Sequence, residues 1–299
     1  MTRRMNPSML MEGFDFNCAV LISCHNRKKK TLGFLDSLHK EITFSADSWD
    51  VYLLDDGSTD GTSDAVKAIY PEVRIINGTG NLFWAGGMRV LWKHALDQKK
   101  YDLFLLCNDD VILIEGSLKR LIASYQLAGP ESILIGSTLS SITKKITYGG
   151  HLLNRLNHAG YYLVKPDEQV LKPCHLGNAN VFLVGAAVVR KVGIFDGAYT
   201  HYLADYDYTL TAFKAGIKVL LAPGYYGFCE DDHGPNWLSG KHSLRQRVNY
   251  LYSVKGLAYH EYLFYIKKHF PADYSGAIIK LWMKTLFPFI WDNFKKVDN

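Results

Sequence analysis

The run Tyr101-Asp102-Leu103-Phe104-Leu105-Leu106-Cys107-Asn108-Asp109-Asp110-Val111 constrains this chain more than any other stretch. An apolar segment with the length and branching of a buried strand stops at Asn108, and two adjacent carboxylates follow. The acids therefore stand at the carboxyl end of a core strand, the edge at which open α/β sheets bind ligands. Neighbouring carboxylates repel unless a cation or a donor shares them, and hard oxygen ligands of this type suit Mg²⁺ or Mn²⁺ carried by a phosphate. For the Asp pair alone, a polar turn closing a strand is the plainer alternative.

The same arrangement recurs upstream. Residues 18–23 read as a buried strand running into the polar turn Cys24-His25-Asn26-Arg27, and residues 51–54 as a strand running into Asp55-Asp56-Gly57-Ser58-Thr59-Asp60-Gly61-Thr62. A third strand is expected over 73–76. Helical periodicity through Leu32, Leu35 and Leu38, a short helix through Ala65 and Ile69, and a helix over 86–96 make the connections. Strands alternating with helices predict an α/β class with a mostly parallel central sheet flanked by helices, its polar residues gathered along one edge. Farther on, 118–127 is amphipathic, 133–136 is strand-like, and a Gly- and Asn-containing excursion runs through 148–180. The apolar block 182–190 precedes Gly193-Ile194-Phe195-Asp196. Asp205-Tyr206-Asp207 then open a helix through Leu210 and Phe213, and a strand follows over 218–222.

Composition excludes several classes. With 48% hydrophobic and 21% charged residues, the 299-residue chain is neither disordered nor, at a mean hydropathy near zero, a polytopic membrane protein. A net charge of +5 lacks the clustered basicity of a nucleic-acid binder. The five cysteines are odd in number and show no metal-ligand spacing, so reduced thiols and a cytoplasmic location are expected. Residues 1–17 contain no apolar core suited to a signal peptide. From Lys241 onward, aromatic and basic residues interleave, which predicts a C-terminal helical extension over 240–299. It either lies on an anionic membrane surface, at the inner face of the cell membrane, or packs on the core with its lysines reaching outward. The apolar stretch 278–291 is interrupted by Lys280, Lys284 and Pro288 and is too short to span a bilayer.

Taken in order, the turns at Ser23 to Arg27 and Asp55 to Thr62, then Asn108-Asp109-Asp110 and Ala204-Asp205-Tyr206-Asp207, resemble the family 2 glycosyltransferases. These are inverting enzymes of the GT-A fold; the likeness leans to bacterial rhamnosyl- and galactosyl-type transferases of cell-surface polysaccharides. It covers roughly 19–223, within a catalytic domain expected over 17–235. Asp-Asp-Gly-Ser-Thr-Asp-Gly-Thr after a strand is its most specific piece, supported by Asn81-Leu82 and Ala85-Gly86-Gly87. The resemblance implies a nucleotide-diphospho-sugar donor, a glycan or lipid-linked acceptor, and a divalent metal, Mn²⁺ or Mg²⁺. Ser23, His25, Asn26, Arg27, Asp56 and Asp109 take the nucleotide-binding positions, with Asp56 on the imide N–H of the base and Asp109 toward the ribose. Asp110 takes the metal position, and His233 that of a later histidine that completes the metal or diphosphate site. Asp205 matches the catalytic base. The chain departs from the family at Ala204, where an acid is usual, at Arg89, where Asn is frequent, and at His25, where an aromatic is common.

The residues support this chemistry and also leave alternatives. A positioned carboxylate can take the proton of an attacking hydroxyl, but Asp205 can equally cap the helix that follows it. Asp207 can serve as the base instead, or orient acceptor hydroxyls. Trp84 and Trp237, with Arg89, can contact sugar rings or can be structural. Arg27 to Lys30 form a basic run near the nucleotide edge, and Asp55 and Asp60 suit turn building. A sugar-phosphate nucleotidyltransferase is a competing class, though the first turn lacks its Gly-rich loop; a catalytically degenerate glycan- or nucleotide-binding module is another. A dinucleotide-dependent dehydrogenase lacks the glycines it needs after the first strand.

Overall fold

The computed structural model describes residues 16–42, 49–232 and 234–294. The N-terminal residues read above for export, His233, and Lys295 and Lys296 of the basic tail lie outside the described residues, apart from Phe16 and Asn17.

The chain begins with β1 (Cys18–Cys24), α1 (Lys28–Ile42), β2 (Trp49–Asp55), α2 (Thr62–Ile69), β3 (Arg74–Asn77), α3 (Phe83–Gln98) and β4 (Leu103–Asn108). This is the alternation that the sequence predicts, and β3, β2, β1 and β4 pair in parallel in that order. Then come β5 (Ile112–Leu113), α4 (Ser117–Ala128) and β6 (Ser132–Leu139). The excursion forms short strands: β7 (Gly150–Leu153), β8 (Tyr161–Leu163), β9 (Lys172–Pro173) and β10 (Leu176–Gly177). The chain re-enters the core as β11 (Val181–Gly185), followed by α5 (Ala186–Val192), α6 (Ala204–Lys214) and β12 (Lys218–Phe228). Four α-helices follow among the described residues: α7 (Leu244–Tyr252), α8 (Tyr259–His269), α9 (Tyr274–Leu286) and α10 (Phe289–Phe294).

Among the described residues the main sheet runs β3-β2-β1-β4-β11-β6-β12-β5, with β9 beside β12, while β10, β7 and β8 form a separate small sheet. β11 lies antiparallel between β4 and β6. Its amino end therefore meets the carboxyl ends of the parallel strands, and Asn180 faces the Asn108 end of β4 across a backbone hydrogen bond of 3.3 Å. The apolar block 182–190 is split at Gly185, where a Cβ would stand 2.5 Å from the Pro130 carbonyl oxygen. β12 extends beyond its expected end, with the register shifting between Leu221 and Tyr225 around Pro223, which has no N–H for the ladder.

The sheet is buried on both faces. Val20, Ile22, Leu53 and Leu105 pack with Phe34 and Leu38 of α1 and Leu121 of α4; Leu21, Leu54, Phe104 and Leu106 pack with Met88 and Trp92 of α3. Tyr265, Ile266, Phe270 and Leu281 of the C-terminal region belong to that second cluster. Each such side chain contributes about 1.5–3 kcal/mol when fully buried. The C-terminal helices are thus fastened to the core, and no helix of the described residues is long and apolar enough to cross a membrane. All five cysteines are buried and free.

Candidate active site

A cleft of about 880 Å³ opens along the sheet edge where β1, β2 and β4 end. Ser23, His25, Arg27, Asp56, Asp109 and Asp110 line it together with Asp205, Tyr206, His151 and Tyr161, and Trp84, Tyr202, Tyr250 and Lys255 also line it.

The first two turns are stitched to each other. Asn26, in the left-handed region at φ 52°, accepts from the Thr59 N–H at 2.7 Å through its side chain and donates its own N–H to Ser58 Oγ at 2.8 Å. Asn tolerates this conformation better than most residues. Asp60 accepts from the Lys28 N–H at 2.9 Å, and Asp55 from the Ser58 N–H at 2.8 Å, so both acids build the turn. His25 Nδ1 lies 2.6 Å from the Asp56 carbonyl oxygen, which can only accept, so Nδ1 carries the proton. Asp56 is buried and accepts from the Gly80 N–H at 2.8 Å and the Phe83 N–H at 2.9 Å, one on each oxygen. One lone-pair direction remains on each oxygen for a further donor. Glycines allow close approach to Asp56 and to Ser23: a Cβ on Gly78 would lie 2.6 Å from Asp56 Oδ1, and one on Gly87 of α3 would lie 2.5 Å from Ser23 Oγ.

At the end of β4, the buried Asp109 accepts from Thr31 Oγ1 at 3.1 Å and pairs with Arg27 at 3.1 Å. Burial pushes its carboxyl up to about 6, with Arg27 opposing and Asp110 adding to the rise. Asp110 is bound by Arg27 and, at 3.4 Å, by Lys30, which also bridges to Asp232 at 2.8 Å. Cations thus satisfy the like-charged pair, as its adjacency demands. Asp110 offers hard oxygen donors to a divalent ion. Among the described residues no group of three His, Cys, Asp or Glu side chains could hold a metal alone. That donor set fits an ion completing its shell with phosphate oxygens and water, as Mg²⁺ commonly does.

Asp205 is not the cap of α6. Leu203 holds that position at φ 66°, and Asp205 follows as the second helical residue. Its carboxylate accepts from the Ala179 N–H at 3.1 Å and from the Tyr206 N–H at 2.8 Å while remaining open to the cleft. Burial pushes it up to about 6, against the pull of these two N–H groups.

Four other candidates stand elsewhere or contribute differently. Asp207 is buried against α8 and does not line the cleft. Arg89 donates to the carbonyls of Asp196, at 3.1 Å, and Tyr199, tying the loop before α6 to α3. Trp237 is buried and donates Nε1 to Asp292 at 2.8 Å, joining the loop before α7 to α10. Trp84 does line the cleft, half-buried, with its ring 5.5 Å from Phe195 and its Nε1 without a hydrogen-bond partner among the described residues. Sequence reasoning did not single out His151, Tyr161, Asn178 or Lys255. The one available signal was the Asn178-Ala179-Asn180 interruption just before an apolar strand.

Comparison with known proteins supplies the lineage. The model of glycosyl transferase family 2 matches residues 19–182, just over half of the chain. The chain belongs to glycosyl transferase family 2. Its fold is GT-A, and the matched span ends before Asp205. Among solved structures, TarS 1-349 of S. aureus in complex with UDP is similar at 16% identity and TM-score 0.54, covering 71% of this chain and 60% of that one. The mannosyltransferase PcManGT from Pyrobaculum calidifontis, in complex with GDP-Man and Mn²⁺, is similar at 14% identity and TM-score 0.54, covering 93% and 75%. GalNAc-T7 with UDP, GalNAc and Mn²⁺ is similar at 12% identity and TM-score 0.56, covering 70% and 42%. This family 2 chain therefore spans about three fifths of TarS 1-349. No curated protein sequence matches it.

Proposed function

We propose that this chain transfers one hexosyl or deoxyhexosyl unit, with inversion, from a UDP- or dTDP-sugar to a hydroxyl of a glycan or lipid-linked acceptor, in the synthesis of a cell-envelope polysaccharide. The observation that carries the reading is the position of Asp205. A carboxylate held by two backbone N–H groups, yet open to the cleft, lines the same cavity as Asp56, Asp109 and Asp110. The nucleotides seen with similar structures, UDP with TarS and GDP-Man with PcManGT, support a nucleotide-bearing substrate.

In this reading Ser23, His25 and Asp56 receive the base, Asp56 accepting from its imide N–H on a free lone pair, and Asp109 approaches the ribose. Arg27, already directed at the Asp pair, lies beside the diphosphate. Asp110 would hold Mn²⁺ or Mg²⁺, which when bound neutralises charge on the leaving diphosphate. Asp205 takes the proton of the attacking acceptor hydroxyl, worth about 10²- to 10⁴-fold in rate. Trp84 offers a ring face to a sugar at the cleft wall.

A thermal-shift series with UDP, dTDP, GDP and CDP, with and without Mn²⁺, tests the donor site. UDP or dTDP is expected to raise the Tm selectively, by the equivalent of about 2.7 kcal/mol at a hundredfold excess over Kd. Asp110→Asn is expected to remove the Mn²⁺-dependent part. Absence of a shift with all four nucleotides sinks the proposal.

The outer face of α9 and α10 supports contact with an anionic membrane. Ile279, Leu286, Phe287 and Phe289 are exposed along it, Lys280 flanks them, and basic residues outnumber acids from Lys241 onward. Co-sedimentation is expected with phosphatidylglycerol-containing vesicles and not with phosphatidylcholine alone. Replacing Phe287 and Phe289 together by Glu should weaken binding roughly tenfold or more. Equal sedimentation of wild type and double variant would remove the membrane reading and leave the transferase reading intact.

A further inference from the structure

Helix α6 carries two acids with opposite outlooks. Asp205 meets the cleft, and Asp207, two residues or about 200° farther round the helix, is buried on the side packed by α8. Asp207 Oδ1 accepts from Tyr199 Oη at 2.9 Å and from His269 Nε2 at 2.7 Å, and its Oδ2 accepts from Lys268 Nζ at 2.9 Å. Lys268 also reaches Asp196 at 3.1 Å. Lys214, on α6 itself, donates to both His269 Nδ1 and the His269 carbonyl at 3.2 Å. With Nδ1 accepting from an ammonium group, the proton of His269 resides on Nε2 and points at Asp207.

This network grips the segment that delivers Asp205. The Tyr199 carbonyl receives Arg89, the Thr200 carbonyl receives the Ala85 and Gly86 N–H groups at 3.0 and 3.2 Å, and the chain then passes through Leu203 at φ 66°. The Asp207 N–H closes the first turn on the Leu203 carbonyl at 2.8 Å. A non-glycine residue holds such a conformation only where its surroundings over-determine it. Around Leu203 the chain is held by α3 at the Tyr199 and Thr200 carbonyls and by α8 at the Asp207 carboxylate.

We infer that Asp207, His269 and Lys268 form a positioning unit that sets the height and direction of Asp205, so that the C-terminal helix α8 is part of the catalytic apparatus. This rests on Asp205 being the base. Burial would raise the Asp207 carboxyl, but the hydrogen bonds from His269 and Lys268 hold it below the ordinary carboxylate range, so it stays ionised and keeps its three donors. The charged or titratable groups around it are Tyr199, Asp196, Lys214, Tyr265, Lys268 and His269.

The test compares His269→Ala, His269→Gln and Lys268→Met in the full chain. Amide hydrogen exchange at Ala179 reports the bond to Asp205 without any turnover, and nucleotide release from UDP- and dTDP-sugars gives kcat and KM. In His269→Ala the Ala179 amide is expected to exchange on the order of tenfold faster. Its kcat should fall on the order of 10²-fold, with KM for the donor within about twofold. His269→Gln, which returns an N–H donor near the Nε2 position, should recover most of both. If His269→Ala does not fold, Lys268→Met carries the same expectation through its own bond to Asp207. Wild-type exchange at Ala179 and wild-type kcat in the folded variants overturn the inference. An active Asp205→Asn would instead overturn the assignment of the base, and the exchange result would still report the coupling of α8 to Asp205.

Discussion

Asp205→Asn is expected to lower kcat by about 10²- to 10⁴-fold while leaving nucleotide affinity unchanged. The amide keeps the shape of the carboxylate and one oxygen, enough to accept from the Ala179 or the Tyr206 N–H but not both, so it removes the proton acceptor at the cost of one backbone hydrogen bond. The wild-type pH profile should carry the same signature. Burial pushes the Asp205 carboxyl up to about 6, and a base acts in its ionised form, so kcat is flat above that pH and falls about tenfold per unit below it. The sign for stability is the reverse of that for activity. A carboxyl raised in the folded state contributes stability at low pH that is lost as pH rises through about 6, so at pH 7 the neutral amide forfeits no charge-linked stability, and any fall in Tm reports the one backbone hydrogen bond it leaves unmade. A variant that retains wild-type kcat would exclude Asp205 as the base.

Asp56→Ala is the second change with a large expected effect, and it acts on fold and function together. The buried carboxylate accepts from the Gly80 and Phe83 N–H groups, and its removal leaves both donors without an acceptor, at about 1–3 kcal/mol each. Phe83 sits at φ 54°, a conformation costly for an aromatic residue, and loses the bond that holds it there. The start of α3 should loosen, with a Tm several degrees lower for a domain of this size. Nucleotide affinity should fall more than the Tm alone explains, because the group meant for the base is also gone. Asp56→Asn keeps an acceptor oxygen for one of the two N–H groups, so it should recover part of the Tm and little of the affinity. Calorimetry with UDP on both variants separates the two losses.

The elements that position this site were legible where their determinants are local. β1, β2 and β4 announce themselves as apolar runs ending in Ser23, Asp55 and Asn108, and the turn built by Asp55, Asp60 and Asn26 follows from side chains that bond nearby backbone. What escaped depends on distant partners. Asp207 looks like a second candidate base until Lys268 and His269, 61 and 62 residues away, are found bonded to it. Arg89 meets carbonyls 107 and 110 residues on, and Trp237 meets Asp292, 55 residues on. None of these contacts leaves a periodic trace. The antiparallel entry of β11 was equally hidden, since an apolar strand reads the same in either direction.

That antiparallel entry bears on how such enzymes diversify. β6 and β11 are sheet neighbours, so the excursion between them leaves and returns at adjacent positions of a rigid frame. Lengthening a loop whose ends are already fixed adds only about 0.6 kcal/mol of closure entropy per doubling. His151, Tyr161 and the Ala179 N–H, which line the cleft around Asp205, are all borne on this excursion. The fold thus separates a rigid part from one that can be rewritten: the strands ending in Cys24, Asp55 and Asn108 form the fixed half, and the 140–180 excursion is a cassette in which substitutions and insertions would change the ground around Asp205 without disturbing the frame.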